Sequence, residues 1–336
     1  MNLSPLFWIF GTLAIAVIAF LTLAASAQAR LKKRYPPPGQ MVDIGGYRLH
    51  MCVEGSGSPT VILESGAGGF SLVWELVQPA IARVTRVVVY DRAGLGWSDP
   101  SPWPRRADIM AEELHTMLVT AEIPGPYVLV GHSLGGPVAR HFAAKYPDEV
   151  AGLVMVDSAH EQQAKRFPER LVKMLESMKG MVGVMKWIGR SGIFALNPKR
   201  TPTDDLSKLP DKTVEQIRAV IASSRSHIET TVSETLSVIA AETQPVSTLG
   251  ALPLTVISHG KLDPNAVPAS LGPEVREEYE RAWQQLQLEI TSLSTRGRRI
   301  IAEHSGHNVL FDQPEIVTEA ILKMARIVSA ETVAVN

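Results

Sequence analysis

Short runs of β-branched and apolar residues alternate with longer helical patterns along the chain from residue 40 onward. This alternation is typical of an α/β fold, in which helices cover a mostly parallel sheet. The strand-like runs are "MVDIGG", "YRLHMCVEG", "TVILESG", "RVVVYD", "YVLVGHS", "GLVMVDS", "LTVISHG" and "RRIIAEHSG". Gly45 and Gly46 join the first two runs as a predicted antiparallel hairpin, whereas the others are far enough apart for crossover helices. We therefore predict an eight-stranded, mostly parallel sheet flanked by helices.

The spacing of the strands also predicts an inserted domain. Crossover helices are expected near 71–84, 107–121, 134–146, 273–294 and 313–330. More than ninety residues of mainly helical character separate "MVDSAH" (155–160) from "LTVISHG" (254–260), which is too long for a crossover. We therefore predict a helical cap over 158–249, between the sixth and seventh strands, and an α/β core formed by 41–157 and 250–332.

One stretch of the predicted cap is rich in methionine. Residues 171–196, "LVKMLESMKGMVGVMKWIGRSGIFAL", contain four methionines together with Trp187 and Phe194. Methionine adapts to irregular apolar shapes, so the stretch could line a pocket for an acyl chain or touch a membrane. A cap helix that packs on the sheet domain is an equally good interpretation.

The N-terminus departs from the pattern of the rest of the chain. Residues 6–25, "LFWIFGTLAIAVIAFLTLAA", contain no charge and are about as long as a membrane-spanning helix. We predict an uncleaved single-pass anchor over 1–29, followed by a basic and proline-rich spacer over 30–40. The basic run "RLKKR" favours a cytoplasmic location for the domain behind it. The alternative is a signal peptide that is cleaved within "ASAQA", with export of the folded domain.

Charge and cysteine content exclude several functions. The formal net charge is −1, which provides no electrostatic basis for binding nucleic acid. Cys52 is the only cysteine, so neither an intrachain disulfide nor a cysteine-based metal site can form. His304 and His307 are three residues apart at the exit of a strand, a spacing that does not favour metal binding. We predict neither a metal nor a cofactor.

The segment "LVGHSLGG" (129–136) places a single serine between glycines where a strand ends and a helix begins. Gly131 and Gly135 permit a very tight strand-turn-helix connection, which holds Ser133 in a strained conformation with its hydroxyl pointing out of the sheet. The strand "PYVLV" and the helix "GPVARHFAAKY" supply the required context on both sides. Ser133 is therefore the candidate nucleophile.

A serine nucleophile needs a base, and the base needs an acid to orient it. His307 follows the eighth strand in "IIAEHSGHNVLFDQPE", whereas His304 lies nearer the strand and is expected to be structural. Two aspartates compete for the role of the acid. Asp263, in "SHGKLDP" after the seventh strand, is preferred, and Asp157, at the end of the sixth strand, is the alternative.

Attack on a carbonyl group creates an oxyanion that two backbone N–H groups must bind. One donor is predicted to be Leu134, the residue after the nucleophile. The other is expected in the loop after the third strand, "ESGAGG" (64–69), where we select Ala67.

These segments resemble the α/β-hydrolase fold family, in particular its serine-nucleophile esterase and lipase branch, over roughly residues 41–330. "GHSLGG" resembles the nucleophile segment of the family, "YDRAGLGWSD" its segment after the fourth strand, "HGKLD" its acid segment and "SGHNVLFDQPE" its histidine segment. Two departures are the Ser65-Gly66 pair, where many members have His-Gly, and a long segment between Asp263 and the eighth strand. Ser133 argues against the epoxide hydrolases and haloalkane dehalogenases of the family, which use an aspartate nucleophile.

The resemblance implies a serine hydrolase that cleaves carboxylic esters through an acyl-enzyme intermediate. The apolar cap and the N-terminal segment favour small, lipid-like ester substrates with lipophilic acyl groups. Thioester, amide and carbon-carbon bonds are alternative targets. A ligand-binding or signalling protein with slow turnover on the same fold is an alternative of another class, because a fold does not determine a function.

Overall fold

Eight strands form one sheet in the computed structural model, which describes residues 5–203, 205–240, 243–263 and 266–335. Their order across the sheet is β1-β2-β4-β3-β5-β6-β7-β8. β1 pairs with β2, and β2 with β4, in antiparallel orientation, and all other neighbours are parallel. The prediction of an eight-stranded, mostly parallel sheet is therefore confirmed. The strands are β1 Gln40–Asp43, β2 Arg48–Glu54, β3 Thr60–Glu64, β4 Val87–Tyr90, β5 Tyr127–His132, β6 Val150–Val156, β7 Leu254–His259 and β8 Gly297–Ala302.

Helices cover both faces of this sheet because the central strands are apolar on both sides. The helices of the α/β core are α2 Gln78–Ala82, α3 Ala107–Thr120, α4 Gly135–Lys145, α11 Pro273–Ser292, α12 Val309–Asp312 and α13 Pro314–Val335. In β3, Val61 and Leu63 face a core that includes α2 and α13, whereas Ile62 faces a second core that includes α3 and α4.

The predicted helix over 71–84 is the clearest difference in the core. The chain forms a 3₁₀ turn over Ser71–Trp74 and then the short α2, which has Pro79 in its first turn. Proline fits the first turn of a helix but removes a hydrogen-bond donor from an interior position, so it begins a new helix here.

Among the described residues, six α-helices lie between β6 and β7, in the region predicted to be helical. They are α5 Gln163–Arg166, α6 Glu169–Ser177, α7 Val182–Ser191, α8 Ile193–Leu196, α9 Asp211–Ser223 and α10 His227–Ile239. α10 packs against α5, α6 and α7, and α11 of the core packs against α5. The segment therefore lies over the edge of the sheet at which β6 and β7 end.

The N-terminal helix α1 spans Pro5–Arg34 and is long and apolar enough to cross a membrane, since it contains an 18-residue window with a mean hydropathy of 2.3. It continues beyond the predicted boundary at residue 29, so the basic residues belong to the helix and not to the spacer. Its C-terminal half packs against α8 and α9 and buries Ala24, Ala27 and Gln28. The side chains from Phe7 to Leu23 are mostly exposed, including those of Phe7, Trp8 and Leu13.

Candidate active site

The turn between β5 and α4 holds Ser133 in the left-handed region, with φ of 51°. A Cβ atom at Gly131 would lie 2.5 Å from the carbonyl oxygen of Gly135, and one at Gly135 would lie 2.4 Å from that of Glu64. Both positions therefore require glycine, because backbone atoms cannot move aside as a flexible side chain can. The strained turn at Ser133 therefore explains why glycine occurs at positions 131 and 135 of the sequence.

The Ser133 hydroxyl lies at hydrogen-bond distance from the base predicted for it. Ser133 Oγ is 3.0 Å from His307 Nε2, and His307 Nδ1 is 2.6 Å from Asp157 Oδ2. A carboxylate only accepts hydrogen bonds, so the hydrogen of the neutral His307 ring is on Nδ1. Nε2 is then the acceptor that can take the hydroxyl proton.

The structure places Asp157, and not the preferred Asp263, against the His307 ring. The carboxylate that binds His307 Nδ1 belongs to Asp157, the alternative, and not to Asp263. Asp263 and Ser133 line one cavity. Asp263 also packs beside Gly306, where a Cβ atom would lie 3.6 Å from the Cα atom of Asp263. Both aspartates lie in one site, but Asp157, which directly follows β6, is the one that contacts the His307 ring.

The Asp157 carboxylate accepts hydrogen bonds from several donors. The residue is fully buried and adopts a φ of 39°, which makes it, like Ser133, a non-glycine residue in the left-handed region. Its Oδ1 accepts hydrogen bonds from Trp283 Nε1 at 3.0 Å and from the His259 backbone N–H at 3.1 Å. Burial opposes its charge, but the hydrogen bonds from His259 and His307 outweigh burial and hold the pKa of Asp157 well below its usual range.

A second histidine, His259 at the end of β7, was not identified from the sequence as part of the site. Its Nδ1 lies 2.8 Å from Asp157 Oδ2, and its Nε2 lies 3.1 Å from Glu280 Oε2. Both nitrogens face carboxylates, which only accept, so both carry hydrogens and the ring is an imidazolium. Burial lowers the pKa of His259, but the two carboxylates outweigh burial and raise it to about 10. The signal in the sequence was "ISHG", which places a histidine at the end of a central strand.

A cavity of about 540 Å³ opens above Ser133 and is lined by both predicted oxyanion residues, Ala67 and Leu134. Within the described part of the chain, neither the Ala67 nor the Leu134 backbone N–H has an acceptor. Donors without acceptors beside a nucleophile can bind a developing oxyanion. The cavity wall also includes the aromatic side chains Phe167, Tyr279 and Trp283.

His132, next to Ser133 in the chain, supports the loop that carries His307. Its Nε2 lies 3.1 Å from the His307 backbone carbonyl, so this nitrogen donates. Burial and the neighbouring His307 ring lower the pKa of His132 to about 3, which keeps its ring neutral at physiological pH. His304 is exposed, and its backbone N–H donates to Gln313, in keeping with the structural role expected for it.

No group of three or more histidine, cysteine, aspartate or glutamate residues is placed to hold a metal ion among the residues that the structure describes. The site offers a hydroxyl, an imidazole that can accept its proton, a carboxylate behind that imidazole and two backbone donors. This set can carry out acyl transfer by nucleophilic attack.

Comparisons with known proteins agree with this architecture. A family model for the alpha/beta hydrolase fold matches residues 59–184. A Hormonema carpetanum protein named "Probable transporter efuK" is 27% identical over 307 residues, covering 84% of this chain and 42% of that protein. An AB hydrolase superfamily protein of Gibberella zeae is 26% identical over 284 residues, covering 80% of this chain and 87% of the relative. The chain thus spans less than half of the first relative and most of the second.

A solved structure of a thermophilic esterase from Thermogutta terrifontis superposes with a TM-score of 0.60 at 23% identity. The superposition covers 86% of this chain and 98% of the esterase, and it shows a common fold. The sheet topology, the family model and the fold likeness define a hydrolase scaffold of the α/β class. The chain has the α/β-hydrolase fold, and the resemblance noted in the sequence is confirmed at the level of that fold.

Replacement of His259 by glutamine is expected to alter how stability depends on pH. The raised pKa of His259 means that its ion pairs contribute fully below about pH 6.5, its pKa in an unfolded chain, and are lost as the pH rises toward about 10. We expect His259→Gln to lower the free energy of unfolding by about 1–3 kcal/mol at pH 6 and to have less effect at pH 10. Unfolding of the full chain in detergent at both pH values, with His304→Gln as the control, measures this. An equal loss at both pH values would contradict the charged state of His259.

Proposed function

We propose that this protein is a serine hydrolase that cleaves carboxylic esters of lipophilic acyl groups. The observation that carries the proposal is the hydrogen-bonded chain in which Ser133 Oγ lies 3.0 Å from His307 Nε2, and His307 Nδ1 lies 2.6 Å from Asp157. The roles of these residues follow the chemistry of a serine hydroxyl, an imidazole base and an orienting carboxylate.

In this mechanism Ser133 Oγ attacks the acyl carbon while its proton moves to His307 Nε2. Asp157 holds the Nδ1 hydrogen and stabilises the resulting imidazolium, and the Ala67 and Leu134 N–H groups bind the oxyanion. Collapse of the tetrahedral intermediate breaks the ester bond, and the leaving alcohol takes the proton from His307. Water then attacks the acyl-enzyme by the same route, which releases the carboxylic acid and restores the serine.

A second cavity supports the preference for lipophilic acyl groups. It has a volume of about 330 Å³ and begins at the glycine-rich loop 66–69, close to the proposed oxyanion donors. Ala67, Thr203 and Asn308 line both cavities, so the two meet beside Ser133. Its wall is mostly apolar and includes Phe70, Val73, Met185, Leu206, Ile221, Ile228, Leu310 and Phe311. We refer to it as the acyl cavity, because an apolar pocket of this size suits a small lipophilic group.

The proposal includes a membrane anchor formed by α1. Its length, its hydropathy and the exposure of most of its apolar side chains support an association with lipid. The basic residues at its C-terminal end favour the cytoplasmic side for the folded domain.

The acyl cavity gives the test of the proposed function. We expect the full chain in detergent to hydrolyse p-nitrophenyl esters, with kcat/KM rising with acyl length from acetate and then falling once the cavity is filled. Val73→Phe would place extra volume in the cavity and should lower kcat/KM for the longest accepted ester about tenfold, with little effect on acetate.

Leu72→Phe is the matched control, because Leu72 is adjacent in the chain and does not line the acyl cavity. Absence of turnover on every ester would sink the esterase proposal and favour another bond type or a binding protein. If both variants show the length profile of the wild type, the acyl chain lies elsewhere.

A further inference from the structure

Two short cap helices expose an unusual number of large apolar side chains. Val184 and Trp187 are one turn apart on α7 and are 55% and 70% exposed, and Ile193 and Leu196 on α8 are each 46% exposed. We call these four residues the outer cap face. Single exposed apolar residues are ordinary, whereas a group of this kind marks a surface that binds something apolar.

The opposite side of α7 is already occupied by protein. Met185 lines the acyl cavity, and Gly189 packs so closely on α10 that a Cβ atom there would lie 3.0 Å from Ile228 Cβ. α7 is therefore apolar on two sides, one toward the acyl cavity and one toward the surroundings. Contacts within the protein explain the apolar side chains on the side toward the acyl cavity, but not those on the exposed side.

The outer cap face adjoins the N-terminal helix. α1 packs on α8 and α9, and a Cβ atom at Gly192, between α7 and α8, would lie 3.0 Å from the Gln28 side chain. The exposed apolar half of α1, residues 7–23, ends only a few residues before Gln28. A bilayer that takes up this half of α1 would lie beside the outer cap face.

Basic residues flank the face on both sides. Lys186 and Arg190 on α7 pair with Glu229, and Lys199 and Arg200 are exposed directly after α8. The C-terminal end of α1 adds Arg30, Lys32 and Lys33. A tryptophan and aliphatic side chains bordered by lysine and arginine match the interface of a bilayer that contains anionic lipid.

We propose that the outer cap face docks on the surface of the same lipid bilayer that holds α1. The occupant is a membrane surface with anionic headgroups, in which Trp187 and its neighbours enter the interface while the basic residues contact phosphates. α7 separates this face from the acyl cavity and is apolar on both sides. Apolar substrate therefore passes along α7 from the bilayer to Ser133. This last consequence rests on the proposed function, whereas the docking itself does not.

The docking is tested with the full chain in lipid nanodiscs that contain phosphatidylcholine and phosphatidylglycerol. In a Cys52→Ser background, Trp187→Cys carries an environment-sensitive fluorophore, and Val119→Cys is the control. Val119 is also apolar and 57% exposed, but it lies on α3, which packs on α4 of the core. We expect a blue-shifted emission and at least fivefold less quenching by aqueous iodide at position 187 than at position 119. Equal quenching at the two positions would overturn the docking.

A kinetic experiment tests the route to the active site. The variant with Val184→Ser and Trp187→Ser alters the face without touching the acyl cavity. We expect at least tenfold slower hydrolysis of a long-chain ester presented in the nanodisc and unchanged hydrolysis of soluble p-nitrophenyl butyrate. Equal rates for the variant and the wild type on the nanodisc ester, or an equal loss on both substrates, would overturn the route. If the wild type hydrolyses neither ester, the proposed function fails, while the fluorescence experiment still decides the docking.

Discussion

Replacement of Ser133 by alanine is expected to lower kcat for ester hydrolysis by about 10⁶-fold, the effect typical of removing the nucleophile of a serine hydrolase. Alanine removes the only atom that the proposed mechanism uses to attack the acyl carbon, and it leaves His307 with nothing to deprotonate. The turn should persist, because the glycines on either side remain and the Ser133 N–H still donates to the Val156 carbonyl in the wild-type geometry. The measurement is turnover of the best p-nitrophenyl ester by the full chain.

Two controls distinguish loss of chemistry from loss of folding. Ser233→Ala removes a hydroxyl from α10 that donates to the Glu229 carbonyl and does not line the cavity above Ser133, so turnover should be unchanged. A fluorophosphonate probe should label the wild type on the peptide containing Ser133 and should not label Ser133→Ala. Wild-type turnover in Ser133→Ala would mean that another residue performs the reaction.

Substitution of Asp157 by asparagine is expected to have the second-largest effect, a decrease in kcat of about 10⁴-fold. An asparagine amide can donate to His307 Nδ1, which places the ring hydrogen on Nε2 and prevents that nitrogen from accepting the proton of Ser133. The same change in Asp263 should alter kcat less than tenfold, because the 2.6 Å contact with Nδ1 comes from Asp157. The measurement is the ratio of kcat for the two variants.

Asp157 is buried and accepts hydrogen bonds from several donors, so its replacement can also lower stability. Thermal unfolding of each variant, together with kcat measured well below the transition, separates the two effects. A folded Asp157→Asn that retains activity, beside an inactive Asp263→Asn, would restore the original preference for Asp263.

The pairing of Ser133 with His307 could be predicted from sequence because the position of each residue depends largely on local geometry. Gly131 is required by its contact with Gly135 in the same turn, and His307 follows the last strand in a similarly short segment, although Gly135 is required by Glu64 of the neighbouring strand β3. The acid could not be chosen in this way. Asp157 and Asp263 both follow strands that end at one edge of the sheet, and only the positive φ of Asp157 and the position of the His307 ring select between them.

The N-terminal segment illustrates a second limit of the sequence. Hydropathy identifies one apolar run but does not separate side chains that face lipid from those that pack on protein. Ala24 and Ala27 lie at or just beyond the end of this run, yet they are buried against the helical segment. Small residues let two helices approach closely, and which helix approaches is a property of the tertiary structure.

The pairing of His259 with two carboxylates has a consequence for the charge balance of the reaction. Before attack, the cation His259 lies between two anions, the buried Asp157 and the partly exposed Glu280, so these three groups together carry one excess negative charge. When His307 takes the proton of Ser133, its new positive charge offsets this excess, while the matching negative charge forms on the oxyanion of the tetrahedral intermediate. Glu280, which faces His259 Nε2 while Asp157 faces Nδ1, supplies the negative charge that leaves this excess behind the His307 ring.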